Sequence, residues 1–572
     1  MSDVRKSFIS GYVSICVVTV WLALASFASF GGGDMRRPKK LIATGWDHPD
    51  SQRLLKNLEQ MEERPFDGVI IQVIGEKDGG GQCRLRATFK DEKWEHEWFQ
   101  SCVERLQRCE FERFTDNFIT VGANPGNVDW FDDKGWQNIV EHWRIAASIA
   151  HDAGFTGLLF DPEPYTPPYS QFEYSAQPER NEHSFDEYYE KARERGRQVM
   201  RAVAEEYSDM TLYCYFMNSI NARATGRADP RQVLKGSRYG LYSAFIDGWL
   251  DVVPPGVTMV DGCERAYRFN SEREYLEAFA QIKGACQELV SPENRATYRA
   301  QVQVSYGVYL DAYWNPKDSQ WGNWYIDGKG GPRVERLRAN VSTALRLADE
   351  YVWIYGEKFR WWPTPNSRVR EKTWPEALPG CEKALRFARG PEAYARAVLK
   401  TEEAYNLARN GNFEEKGDGL PAGWSAWQEQ SSDGTFSQAP QAGRQSKGAA
   451  KAAGVSNGCF LQKTDVKPGQ LYAVRVWRQV RGDGTAWVRI RWQTPEGEWT
   501  ATGHDEMLHC TTPSGEWGEM FGVAEVPEDV GKLVILLGAQ GQQSSSDVIW
   551  YDDVGLYRLI KFTGADPGGQ KK

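Results

Sequence analysis

The sequence predicts an α/β protein, a (β/α)8 barrel of the TIM type followed by an antiparallel β-sandwich of the jelly-roll type. In the range 39–362, eight short apolar runs alternate with amphipathic helical stretches, which is the pattern of eight βα units. From Asn406 onward the helical periodicity stops, and short alternating strands separated by Gly, Pro and Asp turns follow. The 572 residues are also too many for one ordinary core, so we expect at least two domains.

Each of the eight candidate strands ends close to polar or acidic residues. They are KKLIATGWD to Asp47, DGVIIQVIG from Asp67 to Gly75, DNFITVGAN to Asn124, TGLLFDPE to Glu163, TLYCYFMNS from Thr211 to Ser219, VTMVDGCE to Glu264, AQVQVSYGVYLD from Ala300 to Asp311 and EYVWIYGEKF from Glu350 to Phe359. Capping boxes at Ser184 with Glu187 and at Ser271 with Glu274 predict the starts of two intervening helices. An open doubly wound sheet is the alternative, but no GxGxxG motif follows the first strand.

The chain begins with a segment typical of export. Arg5 and Lys6 precede an uncharged apolar run over 11–30, and Ser26 with Ala28 forms a small-x-small cleavage site. An uncleaved anchor is the alternative, and the basic residues just after the run argue against it. We therefore expect a secreted or periplasmic protein, with a membrane as partner only if the segment stays uncleaved.

The predicted domain boundaries follow from these changes in pattern. They are a leader at 1–30, the barrel at 39–362, a connecting segment with a helix at 363–405, the sandwich at 406–560 and a disordered tail at 561–572.

Composition excludes several classes of function. The net charge is −9 and no dense basic run occurs, so nucleic acid is not an expected partner. The seven histidines show neither HxH nor HExxH spacing, so we expect no metal or other cofactor in catalysis. Beyond Cys16 there are nine cysteines, an odd number, so at least one is unpaired or pairs between chains. The 23 tryptophans are many for a soluble protein, and such rings stack on sugars as well as packing cores.

The stretch TGLLFDPEPY, from Thr156 to Tyr165, is the most informative part of the barrel. In a strand, Asp161 and Glu163 share one face, because side chains two apart point the same way. The apolar run before them predicts a strand covered on both faces, and ligands bind at the carboxyl end of such strands. The alternative is a strand that ends in a solvated acidic turn.

This strand resembles the signature of family 18 chitinases, in which a Gly-led strand ends in Asp-x-Glu. Gly157, Asp161 and Glu163 stand in the matching places, and the resemblance implies that Glu163 is the general acid with Asp161 as its neighbour. The chain departs from the signature where the family has two further acids, at Thr156 and Leu159, and at Pro162, where the family often has Trp.

Cleavage of a glycosidic bond needs one carboxylic acid to protonate the leaving oxygen and a second carboxyl group as nucleophile or base. An acid keeps its proton near neutral pH when it is buried or lies beside another negative charge, which Asp161 supplies for Glu163. Candidates for the second carboxyl group follow other strands. In order of preference they are Glu357, then Glu264 or Asp261, and Asp311. Ion pairs with Lys358 and Arg265 are the structural alternatives for the two glutamates.

Further polar and aromatic residues follow the strands and predict a sugar-binding mouth. The predicted substrate-binding residues are Trp46, Asp47, Asn124, Tyr165, Tyr215, Asn218, Asp311, Trp314 and Trp361. For each of them packing is the alternative, and for Asp47 the alternative is to cap the helix that follows.

The segment 406–559 resembles carbohydrate-binding modules of families 4 and 9. It opens NLARNGNFEE, continues GLPAGWSAW with Trp424 and Trp427, and closes VIWYDDVGLYRL. The resemblance implies glycan binding and a structural calcium held by acids such as Glu414 and Asp552. A sandwich that only separates domains is the alternative.

Taken together, these patterns predict an exported glycoside hydrolase that acts on a polysaccharide or oligosaccharide and carries a carbohydrate-binding module. A non-catalytic glycan-binding protein with an inactive barrel is the alternative, and an enzyme acting on a substrate other than sugar is a third interpretation.

Overall fold

A computed structural model describes residues 39–126, 128–165, 170–320, 322–401 and 404–559. The predicted leader at 1–30 and the predicted tail at 561–572 lie outside the described residues. Two compact units are present. The described part of the first comprises 39–62, 66–308 and 343–355, and that of the second comprises 63–65, 309–342 and 356–559.

The first unit is built around one large sheet. Its strands and those of a small hairpin are β1 (Lys40–Gly45), β2 (Gly68–Ile71), β3 (Ile74–Glu76), β4 (Gln82–Arg84), β5 (Phe118–Gly122), β6 (Gly157–Asp161), β7 (Thr211–Cys214), β8 (Thr258–Asp261), β9 (Val302–Val304), β10 (Tyr306–Tyr309) and β11 (Tyr351–Gly356). The α-helices between them are α1 (Ser51–Glu62), α2 (Gln100–Gln107), α3 (Asp133–Asp152), α4 (Phe185–Glu206), α5 (Pro230–Lys235), α6 (Gly240–Leu250), α7 (Glu272–Lys283) and α8 (Arg295–Gln301).

The large sheet is a nearly closed parallel barrel. Its nine strands lie in the order β10-β11-β1-β2-β5-β6-β7-β8-β9, and the pairs from β1 through β9 are parallel. The two edge strands, β9 and β10, follow one another in the chain with only Ser305 between them, so the sheet curls back on itself. All eight predicted strands are present, which confirms the alternating α/β pattern. The seventh is divided at Ser305.

Strand β6 shows why its apolar run is continuous. Phe160 packs on the helical layer, with its ring centroid 5.1 Å from Trp143 of α3 and 6.0 Å from Trp249 of α6. Every residue of the strand is buried, as expected for a parallel strand covered on both faces. Gly157 allows a close approach to β7, because a Cβ there would lie 2.1 Å from the carbonyl oxygen of Thr211.

Helix capping was predicted correctly at one of two positions. Ser184 and Glu187 form a capping box at the start of α4. Before α7 the box is not formed, and the carboxylate of Glu274 instead accepts hydrogen bonds from the backbone N–H of Asn270 and the hydroxyl of Ser271.

The second unit holds a short helical region and two antiparallel sheets. Its helices are α9 (Leu310–Trp314), α10 (Arg333–Leu347, which extends into the first unit), α11 (Trp374–Ala377), α12 (Cys381–Arg389) and α13 (Pro391–Thr401). Its strands are β12 (Phe359–Arg360), β13 (Arg370–Thr373), β14 (Ser425–Gln428), β15 (Thr435–Pro440), β16 (Gly448–Ala453), β17 (Asn457–Asp465), β18 (Leu471–Arg481), β19 (Thr485–Gln493), β20 (Glu506–Leu508), β21 (Gly518–Glu525), β22 (Lys532–Gln540) and β23 (Val548–Leu559).

The C-terminal strands form two five-stranded sheets over one apolar core. One sheet has the order β14-β17-β22-β19-β20 and the other β15-β16-β23-β18-β21. Val474 and Ile549 from the second sheet share a core with Ile490 and Leu533 from the first. The predicted change from α/β to antiparallel β structure is therefore confirmed. The nine cysteines of the described residues are all free.

Candidate functional site

Asp161, the last residue of β6, is buried, with 2% of its surface exposed. Its Oδ2 atom lies 2.8 Å from a guanidinium nitrogen of Arg86, and its Oδ1 atom accepts the backbone N–H of Glu163 at 3.1 Å. Burial raises the pKa of Asp161 to about 6, although the positive charge of Arg86 acts in the opposite direction. The negative charge predicted beside Glu163 is thus paired with an arginine.

This raised pKa predicts how stability depends on pH. An aspartate in the unfolded chain has a pKa of about 3.9. Between this pH and about pH 6 the native state therefore binds more protons than the unfolded state. The free energy of unfolding falls as pH rises through this range. Replacing Asp161 by Asn removes that loss. The free energy of unfolding of Asp161→Asn relative to the wild type should rise by about 2 to 3 kcal/mol between pH 4 and pH 7. Urea denaturation at each pH measures it.

The exposed Asp209 offers a matched control in the same unit. Asp209→Asn should show no such change between pH 4 and pH 7, and a difference for Asp161→Asn that is independent of pH would contradict the prediction.

Arg86 is a site residue that the sequence analysis did not predict. It follows β4 and lies 75 positions before Asp161 in the chain. Its guanidinium also lies 5.0 Å from the centroid of the Tyr165 ring, a cation–π contact. Gly122, at the end of β5, leaves room for this segment, because a Cβ there would lie 3.1 Å from the carbonyl oxygen of Arg86. No motif surrounds Arg86, so only the fold brings it to the carboxylate.

Glu163 lies just beyond the end of β6 and is half-buried. The hydroxyl of Tyr165 donates a hydrogen bond to its Oε2 atom. Asn124 holds the same turn, because its Nδ2 donates to the carbonyl oxygen of Glu163 at 2.8 Å and its Oδ1 accepts the N–H of Tyr165 at 2.9 Å. Asn124 thus positions the acid, while the ring of Tyr165, which is 53% exposed, presents a surface to solvent.

Glu264 belongs to the same electrostatic environment as Glu163. It follows β8 and begins a 3-10 helix, Glu264–Arg268. Burial and the negative charges of Glu163 and Glu264 together raise the pKa values of the Tyr239 and Tyr267 hydroxyls. Both carboxylates therefore act on the same two tyrosines. These tyrosines, like Arg86, are not marked by any sequence motif.

The backbone before Glu264 adopts a rare conformation. Cys263 is fully buried and has φ +45°, in the left-handed region that residues other than glycine seldom adopt. Asp261, the alternative carboxyl group on this strand, is fully buried and accepts hydrogen bonds from Ser219 and the N–H of Cys263. Asp261 therefore fixes the turn that carries Glu264.

Tyr215 and Asn218, both predicted to bind substrate, lie inside the first unit. The Tyr215 hydroxyl is 2.7 Å from the hydroxyl of Thr44, and its ring stacks on Trp353 at a centroid distance of 4.4 Å. Asn218 is fully buried, and neither atom of its amide has a hydrogen-bond partner within the described part of the chain. Neither side chain presents its polar atoms to solvent.

Asp47 and Trp46 follow β1 and differ in exposure. Asp47 is buried and its carboxylate lies 2.7 Å from the guanidinium of Arg53 in α1. The helix is capped by Asp50, whose Oδ1 accepts the N–H of Arg53 at 2.8 Å. Trp46 is 48% exposed, as a sugar-stacking ring would be.

In the second unit, Glu357 follows β11 and is half-buried. Its Oε2 atom accepts a hydrogen bond from the Tyr309 hydroxyl at 2.9 Å, and its backbone N–H donates to the buried Asp311 at 2.8 Å. Lys358 lies 3.1 Å from Asp311 and 2.7 Å from the amide oxygen of Asn315. Asp311 therefore anchors the segment that carries Glu357.

The two predicted tryptophans of this unit are largely covered. Trp361 is 2% exposed and so packs inside. Trp314 is half-buried, with the amine of Lys358 at 5.7 Å and the guanidinium of Arg370 at 5.4 Å from its ring.

The sandwich carries an aromatic row on one sheet. Trp427, Cys459, Gly538 and Trp487 are direct cross-strand partners on β14, β17, β22 and β19, so their side chains share one face. A Cβ on Gly538 would lie 1.9 Å from the Trp487 ring, so the indole lies flat over this glycine. We call this surface the tryptophan face. Trp427 is 53% exposed on it.

The predicted calcium ligands converge on one loop. Ser446 Oγ lies 3.0 to 3.2 Å from four oxygens, the carbonyls of Asn412 and Gly448 and both carboxylate oxygens of Asp552. The carboxylate of Glu414 lies 2.6 Å from the next backbone N–H, that of Lys447. One hydroxyl proton cannot serve four acceptors, and Asp552 also accepts the backbone N–H groups of Arg444 and Asp553 at 2.6 and 2.7 Å.

The described residues contain no group of three or more His, Cys, Asp or Glu side chains suited to a metal, so a calcium site would need carbonyl and hydroxyl oxygens as well. No helix among them is long and apolar enough to cross a membrane.

No family model and no curated protein matches this chain. Among solved structures, it is similar to the enzymatically active domain of tailspike protein 4 of bacteriophage CBA120 (18% identity, TM-score 0.22, 27% of this chain and 21% of that chain). It is also similar to the CBM22-1 and GH10 modules of endo-1,4-beta-D-xylanase 10B of Clostridium thermocellum (16%, 0.20, 24% and 26%) and to a family 61 carbohydrate-binding module bound to beta-1,4-galactotriose (17%, 0.21, 27% and 100%). The match spans about a fifth and a quarter of the first two proteins. TM-scores this low establish neither fold nor function.

Proposed function

We propose that the protein is an exported glycoside hydrolase in which a (β/α)8 barrel cleaves a polysaccharide or oligosaccharide and a jelly-roll sandwich binds it. The observation that carries the proposal is the placement of Asp161, Glu163 and Glu264. All three stand at or just after the carboxyl ends of strands of one parallel barrel. Active sites of parallel barrels lie at that end.

Glu163 is the general acid of this proposal. Its Oε2 atom accepts a hydrogen bond from the Tyr165 hydroxyl, so in this proposal Oε1 is the atom that carries the acidic proton. Oε1 then donates that proton to the glycosidic oxygen as the bond breaks. Asn124 and the pair of Asp161 with Arg86 hold the acid in place, and the exposed Tyr165 ring offers a stacking surface beside it.

Glu264 is the second carboxyl group of the proposal, as nucleophile or as base for water. Its position after a left-handed Cys263, itself fixed by Asp261, is the kind of strained backbone that clusters at active sites. Glu357 is the alternative, supported by its hydrogen bond from Tyr309.

The tryptophan face is the glycan-binding surface of the sandwich in this proposal. Indole rings stack on pyranose rings, and Trp427 and Trp487 lie in one cross-strand row. A structural calcium would be held by Glu414, Asp552 and the carbonyl oxygens around Ser446. Its positive charge would bind Glu414, near the start of the sandwich, and Asp552, in the last strand, together.

Removal of calcium should destabilise the sandwich. EDTA should lower the melting temperature of the wild type, and calcium chloride should restore it, because binding to the native state alone adds stability. Asp552→Asn should melt at the lower temperature with or without EDTA. Scanning calorimetry measures both, with Asp465→Asn on the exposed end of β17 as a control that keeps the response. A wild type that melts identically in EDTA and in calcium would contradict the calcium proposal.

Turnover tests the proposed function as a whole. The full chain should release reducing sugar from at least one member of a broad polysaccharide panel. If no polysaccharide releases reducing sugar while the tryptophan face still binds glycan, the alternative of a non-catalytic glycan-binding protein is favoured instead.

A further inference from the structure

We propose that the tryptophan face binds a glycan carrying hexuronic acid, with Arg489 recognising the sugar carboxylate. This rests on the proposed glycan-binding role of the sandwich and adds the chemical class of its ligand. A cavity of about 730 Å³ lies beside Trp487, within the size range of ligand sites. Its lining residues are Asn457, Thr485, Ala486, Trp487, Arg489, Met507, Leu508, His509, Cys510, Thr511, Met520 and Gln540.

The lining of this cavity carries positive charge and no negative charge. Arg489 is its permanent cation, and none of the twelve lining residues is acidic. The other polar lining groups are the amides of Asn457 and Gln540, the hydroxyls of Thr485 and Thr511 and the imidazole of His509. A site for a neutral sugar gains from carboxylates that accept hydrogen bonds from the sugar hydroxyl groups. A site with amides, hydroxyls and a guanidinium fits a sugar that itself carries the negative charge. The protein as a whole has a net charge of −9, so a cationic cavity is a local feature.

A neighbouring acid orients the guanidinium without neutralising the cluster. Asp505 Oδ2 lies 2.8 Å from Arg489 and 3.0 Å from Arg491, so one carboxylate serves two arginines. The side chain of Asp505 is 3% exposed, and that of Arg489 is 34% exposed. The three side chains together therefore carry one net positive charge, and Arg489 is the member that lines the cavity. Arg491 is held further by Trp499, whose ring lies 4.5 Å from its guanidinium.

The register places the cation where a sugar substituent would be. Trp487 and Arg489 alternate on β19, so they lie on the same face about 6.6 Å apart. Between them and β17 the floor is apolar, formed by Cys459, Val534 and Leu536. The spacing allows a pyranose ring stacked on the indole to place its C5 carboxylate near the guanidinium, a group that binds planar carboxylates with two parallel hydrogen bonds.

Affinity measurements with matched polymers test the inference. Polygalacturonate, alginate and glucuronate-substituted xylan are each compared with the carboxyl-reduced form of the same polymer, using the full chain. At least one acidic polymer should bind about ten- to hundredfold more tightly than its reduced form, and added salt should reduce the difference. Arg489→Gln should remove this preference and leave binding of the reduced form within about twofold. Trp487→Ala should weaken both.

Lys451→Gln removes one charge from the other sheet and is the matched control, which should retain the preference. Equal binding of acidic and reduced polymers, or Arg489→Gln with an unchanged preference, overturns the hexuronate assignment while the glycan-binding function stands. Binding of a sulfated polymer in place of every uronate polymer also overturns it. Binding of no glycan by the wild type overturns the glycan-binding function and the inference together.

Discussion

Glu163→Gln should lower kcat/KM on a cleaved polysaccharide by about two to four orders of magnitude. The amide keeps the shape of the side chain and its hydrogen bond from Tyr165, but it cannot donate a carboxylic proton to the leaving oxygen. Release of reducing sugar under initial-rate conditions measures the loss. An activated substrate with a good leaving group, such as a nitrophenyl glycoside, needs little protonation, so the variant should keep much more of its activity on it.

Glu141→Gln on α3 is the matched control, since Glu141 is exposed and pairs with Arg144 on the surface. It should retain wild-type activity. Equal activity of Glu163→Gln and the wild type on the polysaccharide would show that another residue is the acid.

Glu264→Ala should also lower kcat/KM by about two to four orders of magnitude, because it removes the proposed nucleophile or base. Glu357→Ala should cost less than about tenfold, because the proposal gives Glu357 no step in the reaction. Sodium azide, a small anion that fits the space left by a carboxylate, should restore turnover to Glu264→Ala. The anomeric configuration of the glycosyl azide product then shows on which face of the sugar the carboxylate lay.

The two glutamates make this experiment decisive in either direction. A large loss in Glu357→Ala with azide rescue, beside a small loss in Glu264→Ala, would transfer the role to Glu357, where the hydrogen bond from Tyr309 already holds the carboxylate. Glu277→Ala on the exposed side of α7 serves as the control for loss of a glutamate as such.

Local periodicity was sufficient to predict the elements around the site. The apolar run that ends at Asp161 is strand β6, and Ser184 with Glu187 caps α4, because both patterns depend on residues only a few positions apart. The same holds for the alternating strands of the sandwich, such as β18 and β19. The prediction of the second capping box was wrong, because Glu274 accepts hydrogen bonds from the N–H of Asn270 and the hydroxyl of Ser271. The conformation of the turn determines these partners.

By itself, the sequence determined the alternation of strands and helices, the change to antiparallel sheets and the position of Asp161 and Glu163 at a strand end. These features depend on the spacing of residues along the chain, because the period of a helix or strand determines which side chains share a face. Only the tertiary structure decided that Arg86, 75 positions away, pairs with Asp161, and that Tyr215 and Asn218 turn inward. Such contacts depend on which strands become neighbours and which polar atoms are buried away from water. Both are properties of the whole sheet and not of any local segment.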